Sequence, residues 1–167
     1  IKVQSVLSKD AKCYRSADGE ITVAATGGTG LLYSIDGGVT FQIPSAFGML
    51  DTGAYQVAIT DANGCVSYPS GPFGIQINEP DSFFVSGSSI KNIDCFGNAT
   101  GSIVIQASGG NLLEYSIDNG TTWQLDPSFD SLVAGTYLLE VRDSAGCIGV
   151  STISGTVSLT EPTLLQA

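Results

Sequence analysis

Apolar and polar positions alternate with a period of two along most of this chain. Within residues 19–26, Ile21, Val23 and Ala25 fall on one side, and Ile103, Ile105 and Ala107 repeat the pattern further on. Successive side chains of an extended strand point to opposite faces, so each run reads as a strand with one face buried. Gly27 and Gly28 break the first run, after which Leu31, Tyr33 and Ile35 resume it as the next strand. Asp36-Gly37-Gly38 and Asp118-Asn119-Gly120 then supply residues that tolerate positive φ, as tight hairpins require. A return strand carries Phe41 in one place and Trp123 in the other. Tyr55, Val57 and Ile59 alternate inward, as do Tyr137, Leu139 and Val141. Asp61-Ala62-Asn63-Gly64 and Asp143-Ser144-Ala145-Gly146 close a further hairpin, and Ile75 with Ile77, or Val157 with Leu159, marks a last strand. No stretch shows a helical period. Short strands separated by regular turn signals predict an all-β protein built of immunoglobulin-like antiparallel β-sandwiches, of about seven strands each.

Every feature just named occurs twice, 82 residues apart, without an insertion or deletion. From Cys13–Pro80 against Cys95–Pro162, 24 of 68 aligned positions are identical. A gapless match of that density predicts two tandem domains of one fold, residues 1–80 and 81–162. Residues 163–167 align with the opening of the second copy and read as the start of a following repeat, so the chain reads as a window on something longer. Leu50-x-x-Gly53-x-Tyr55 and Leu132-x-x-Gly135-x-Tyr137 share a pattern found at the tyrosine corner of such sandwiches. There the hydroxyls of Tyr55 and Tyr137 would reach back to upstream backbone.

Charge and residue chemistry narrow the function. The net charge is −10 with six basic residues in all, which repels a phosphate backbone and argues against nucleic acid as a partner. No apolar run is long enough to cross a bilayer as a helix. Histidine is absent, which removes Ser-His and Cys-His nucleophiles and the usual general base near neutral pH. Asp36, Asp61, Asp118 and Asp143 recur in register, but each sits where a carboxylate caps turn N–H groups. Calcium ligation by these acids, or at the joint by Glu79, Asp81 and a turn acid, is the alternative; no other cofactor is implied. Phe41 and Trp123, with Tyr14 and Phe96, are aromatic in both copies. Core or edge packing explains them, and stacking on a sugar ring is the functional alternative.

Four cysteines, two per copy and 52 residues apart in each, allow three pairings. The equal spacing favours Cys13–Cys65 and Cys95–Cys147, with four free thiols as the alternative and a metal site least favoured. Loops of that size, once closed, would stabilise each domain by about 3–4 kcal/mol and would place the protein in an oxidising compartment.

The run from Cys13 through Gly19-x-Ile21-x-Val23, Tyr33-Ser34-Ile35-Asp36, Leu50-x-x-Gly53-x-Tyr55, Asp61-Ala62-Asn63-Gly64-Cys65 and Glu79-Pro80 resembles the SprB repeat. That family occurs in giant surface adhesins of gliding Bacteroidetes. The resemblance implies type IX export, a place on the outer cell surface, and long arrays that act as a filament in gliding and attachment. It carries no catalytic residues, so no enzyme is expected. Partners so implied are neighbouring repeats of the same chain, surface polysaccharide and gliding-machinery proteins. A carbohydrate- or protein-binding module of a secreted protein is the second reading, and an appendage of a secreted enzyme the third. The first copy departs from the pattern in two places. Arg15 stands where the second copy has Gly97, and Tyr68-Pro69-Ser70-Gly71-Pro72 is proline-rich where the second is Ser/Thr-rich.

Overall fold

The computed structural model describes residues 1–69, 74–149 and 155–164. The chain divides into two compact units, Ile1–Pro80 and Asp81–Ala167. Among the described residues every regular element is a β-strand, and each unit is an antiparallel two-sheet sandwich of immunoglobulin-like type. Of the proline-rich segment, only Tyr68 and Pro69 fall among the described residues.

Unit 1 contains β1 (Lys2–Lys9), β2 (Gly19–Thr26), β3 (Leu32–Ser34), β4 (Ala46–Leu50), β5 (Gly53–Gln56), β6 (Ala58–Thr60), β7 (Val66–Ser67) and β8 (Gly74–Ile77). One sheet has the order β1-β2-β4. In the other, β3 pairs with β6 and β5 with β8. Gln56 N–H donates to Ile35 O at 2.9 Å and Gly37 N–H to Gln56 O at 2.8 Å, so β5 and β6 act as one strand interrupted at Val57. That interruption is why eight strands appear where the alternation alone suggests seven. Tyr33 and Gln42 exchange backbone bonds of 2.8 and 2.9 Å, adding the return strand at the sheet edge.

The alternating positions meet between the sheets. Ile21 and Val23 from β2, Val57, Ile59 from β6 and Ile77 from β8 form the buried centre, with Val6, Tyr33, Phe47, Leu50 and Tyr55 packed around it. Each large aliphatic side chain removed from water there contributes roughly 1.5–3 kcal/mol relative to exposure. Gly19 opens β2 with no room for a side chain: a Cβ at that position would lie 2.6 Å from Ile77 Cγ2 and 2.9 Å from Leu50 O. Any side chain there would force the sheets apart.

Unit 2 repeats the plan with β9 (Phe84–Lys91), β10 (Gly101–Ser108), β11 (Glu114–Ser116), β12 (Ser128–Leu132), β13 (Gly135–Leu138), β14 (Glu140–Arg142) and β15 (Thr156–Leu159). The order β12-β10-β9 faces the pairs β11-β14 and β13-β15. Its core holds Phe83, Val85, Ile103, Ile105, Leu139, Val141 and Leu159.

Candidate functional site

Each unit has two distinct ends, and its two cysteines lie one at each. The chain enters unit 1 beside the far end of β2, where Lys2 is paired with Thr26. At that end Ala62 N–H donates to Thr29 O at 2.9 Å, which holds the Asp61–Cys65 hairpin against the loop after β2. The chain leaves at the other end, where Ala11 N–H donates to Asn78 O at 2.9 Å and Arg15 N–H to Glu79 Oε2 at 2.6 Å. Cys13 sits in that second loop. Between them runs the whole of β2, eight residues and therefore roughly 25 Å at about 3.3 Å per residue.

The expected bridges Cys13–Cys65 and Cys95–Cys147 are therefore corrected. Cys65 and Cys95 are free, exposed thiols. Cys13 and Cys147 are the disulfide-bonded cysteines. A disulfide needs its Cα atoms within about 7 Å, and a sandwich-length separation cannot be closed without dismantling the sheets. Neither unit is stapled internally, so its stability rests on the core and on its turns.

The same geometry recurs in unit 2. Cys147 closes a hairpin through its N–H, which donates to Asp143 Oδ1 at 2.9 Å. At the other end Ile93 N–H donates to Thr160 O at 3.0 Å and Gly97 N–H to Glu161 Oε2 at 2.8 Å, beside Cys95. Glu79 and Glu161 thus cap the loop that carries the first cysteine of each copy. The capped residues both take the left-handed conformation, Arg15 at φ 57° and Gly97 at φ 75°. The loop keeps its shape although one copy lacks the glycine.

The acids of the Tyr-Ser-Ile-Asp run are consumed by their own turn. Ser34 is buried, and its hydroxyl donates to Asp36 Oδ1 at 2.6 Å while accepting Gly38 N–H at 2.9 Å. The Asp36 carboxylate also accepts the N–H of Val39 and both the N–H and hydroxyl of Thr40. Hydrogen bonds to the ionised form hold the Asp36 carboxyl well below the usual range, the Ser34 hydroxyl first and Thr40 next. In unit 2, Thr122, through its hydroxyl and its N–H, holds Asp118 down to about 2 against the opposing effect of burial, with a smaller contribution from Ser116. Ser116 is fully buried and makes the same bonds to Asp118 and Gly120. These buried serines were not foreseen from alternation, because they lie on the outward parity of a strand and are covered by the turn that follows.

A family model for the SprB repeat matches residues 6–40 and 87–122. One matched segment falls in each of the two units. Each match runs from the first strand of a unit to the threonine that closes the serine–aspartate turn. No curated protein matches the chain. Among solved structures, the C-terminal 282-residue fragment of intimin, in complex with the translocated intimin receptor (Tir) intimin-binding domain, is similar over 97% of this chain, with a TM-score of 0.42 and 11% identity. The chain spans 64% of that fragment's length.

The remaining singled-out residues of the two units take these places. Tyr55 donates its hydroxyl to Asp51 O and Tyr137 to Val133 O, each at 2.9 Å and each four residues upstream. Asp61 Oδ1 accepts the N–H of Asn63 and of Cys65, both at 3.0 Å, and Asp143 does the same for Ala145 and Cys147. Asp81 is exposed. Among the described residues no group of three or more His, Cys, Asp or Glu gathers to hold a metal ion. Phe41 and Trp123 are half-buried over the turn glycines Gly38 and Gly120. The Trp123 indole N–H donates to Gly120 O at 2.9 Å, and the Arg142 guanidinium covers its ring at 4.4 Å from the centroid. Arg142 also pairs with Glu114, directly across from it on β11, at 2.5 Å. One ring face is therefore already occupied. The first repeat has no such pair, since Thr60 and Leu32 stand at those positions.

Proposed function

We propose that this chain is a pair of stalk modules from a large cell-surface adhesin, exported through the outer membrane and serving gliding and surface attachment. The observation that carries the reading is the duplicated SprB repeat in which each copy receives the chain at one end and releases it at the other. A module of that kind adds reach when copies are joined in series, and its duplication calls for no chemistry. The acidic surface, with a net charge of −10, keeps such arrays apart from one another and from nucleic acid. Its role is to carry load between an anchor and a distal gripping region, so the modules themselves catalyse nothing. The carbohydrate-binding alternative is less well supported at Trp123, because Arg142 lies on one face of the ring that a sugar would need.

The test uses antibody raised against the folded fragment and coupled to beads, presented to living cells of the source organism. Beads that bind and travel along the cell support the whole reading. Beads that bind but stay fixed retain the adhesin and overturn the gliding role. Beads that fail to bind intact cells, while the antibody detects the protein in broken ones, overturn the surface assignment.

A further inference from the structure

Asparagine followed by glycine is a chemically labile pair, because glycine has no Cβ to shield its nitrogen from the asparagine side chain. The chain holds two such pairs, Asn63-Gly64 and Asn119-Gly120, each in a turn and each with its asparagine exposed. The fold treats their glycine nitrogens differently. Gly120 N–H donates to Ser116 Oγ at 2.9 Å, and Ser116 has no solvent exposure. Gly120 is also closely packed: a Cβ there would lie 2.7 Å from Glu140 Oε2 and 3.1 Å from Trp123 Cζ2. Gly64 N–H donates instead to Asp61 O at 2.9 Å, in a hairpin whose Asn63, Gly64 and Cys65 are exposed. A Cβ on Gly64 would meet nothing within 4 Å.

We propose that Asn119 is a latent modification site, kept as asparagine by the Ser116 hydroxyl and converted to aspartate or isoaspartate once the turn opens. The step needs only water. Base removes the Gly120 N–H proton, the nitrogen attacks Asn119 Cγ, a C–N bond forms, and the side-chain amide leaves as ammonia. Water then adds to either carbonyl of the five-membered succinimide and breaks one of its C–N bonds. The product is aspartate or, with an extra carbon in the main chain, isoaspartate. In the closed turn the Gly120 proton is bonded to a buried oxygen, out of reach of base, as an exchange-protected amide is. Conversion also opposes reclosure. It puts a new carboxylate next in sequence to Asp118, and Asn119 lines one cavity with Glu140, so like charges meet. Unit 2 therefore carries a covalent record of having opened. The corresponding turn of unit 1 has Gly37 in place of Asn119 and no amide to lose.

The experiment incubates the purified chain in mildly alkaline buffer at physiological temperature, with and without enough urea to unfold it, and follows both asparagines by peptide mass mapping. In urea the two sites should convert at similar rates. In the folded chain Asn119 should lag Asn63 by about tenfold, the factor for one hydrogen bond that must open first. Ser116→Ala should raise the Asn119 rate by about tenfold and leave the Asn63 rate unchanged. Val141→Ala loosens the same unit through its buried core while Ser116 stays in place, and it should leave Asn119 slow. Trp123 fluorescence shows that both variants are folded at the start. Equal rates at Asn63 and Asn119 in the folded wild type would overturn the proposal, as would equal acceleration of Asn119 by the two substitutions. Should Ser116→Ala not fold, the wild-type ratio of the two sites, with and without urea, decides alone. The measurement concerns the chemistry of one turn, so its failure is separate from any failure of the surface-adhesin reading on cells.

Discussion

Replacing Ser116 with alanine isolates the turn that both units share. The Ser116 hydroxyl donates to Asp118 Oδ1 at 2.7 Å and accepts Gly120 N–H at 2.9 Å, in a position without solvent exposure. Its removal strands the Gly120 N–H away from water, which costs about 1–3 kcal/mol, and also deletes a bond to an ionised carboxylate. We expect a loss of about 2–3 kcal/mol at neutral pH. Trp123, the single tryptophan of the chain, lies on the same turn through its bond to Gly120 O, so its fluorescence reports unit 2 directly. With a urea dependence of about 1 kcal/mol per molar, the unfolding midpoint should fall by about 2–3 M. A shift below about 0.5 M would mean that the buried hydroxyl does not organise the turn, and would refute the reasoning. Acid adds a second arm. The folded pKa of Asp118, about 2, lies below the ordinary 3.8, so its contribution is complete above 3.8 and is lost as the pH falls towards about 2. The deficit of the variant should therefore narrow over that window, without vanishing, because Gly120 N–H stays stranded.

Three further outcomes follow from the geometry. Arg15→Gly should raise stability by about 0.5–1 kcal/mol, because Arg15 holds a left-handed φ of 57° that a Cβ disfavours; a lower melting temperature would show that its stacking on Tyr14 matters more. Asp18, Asp36 and Asp118 all titrate below the ordinary carboxylate range, so thermal stability should hold from neutral pH down to about 5 and fall steadily below about 4. A melting temperature that rose on acidification would contradict this. Millimolar calcium or a chelator should leave the melting temperature unchanged, because the turn carboxylates are already engaged by N–H and hydroxyl donors; a rise with calcium would reveal a site made by other oxygens.

The sandwich was legible because its physics is local. Alternation at Ile21 and Val23, or Ile103 and Ile105, requires only that one strand face meet a core, and those residues are buried. The cysteine pairing was not legible from spacing. Equal separations in two copies say that the copies match, and say nothing about which end of a strand each thiol occupies. A count of strand passages would have told: β2, β3, the return through Gln42, β4 and the β5–β6 strand lie between Cys13 and Cys65. An odd number of passages delivers the chain to the opposite end. The buried serines escaped for a different reason. Their burial is produced by a turn folding back over the sheet, a contact that period-two alternation does not encode. The Glu-Pro pair read as a joint, yet its glutamate reaches back 64 positions to cap a loop.

The self-contained turn also says where diversity among copies is free to arise. Because Tyr33-Ser34-Ile35-Asp36 and Tyr115-Ser116-Ile117-Asp118 satisfy one another's polar groups, their identity reflects architecture and leaves nothing over for discriminating one contact surface from another. Exposed positions that differ between copies, such as Ile43 against Leu125, are held by no such requirement. An array built this way can vary its outer texture from copy to copy while every copy folds by the same rules.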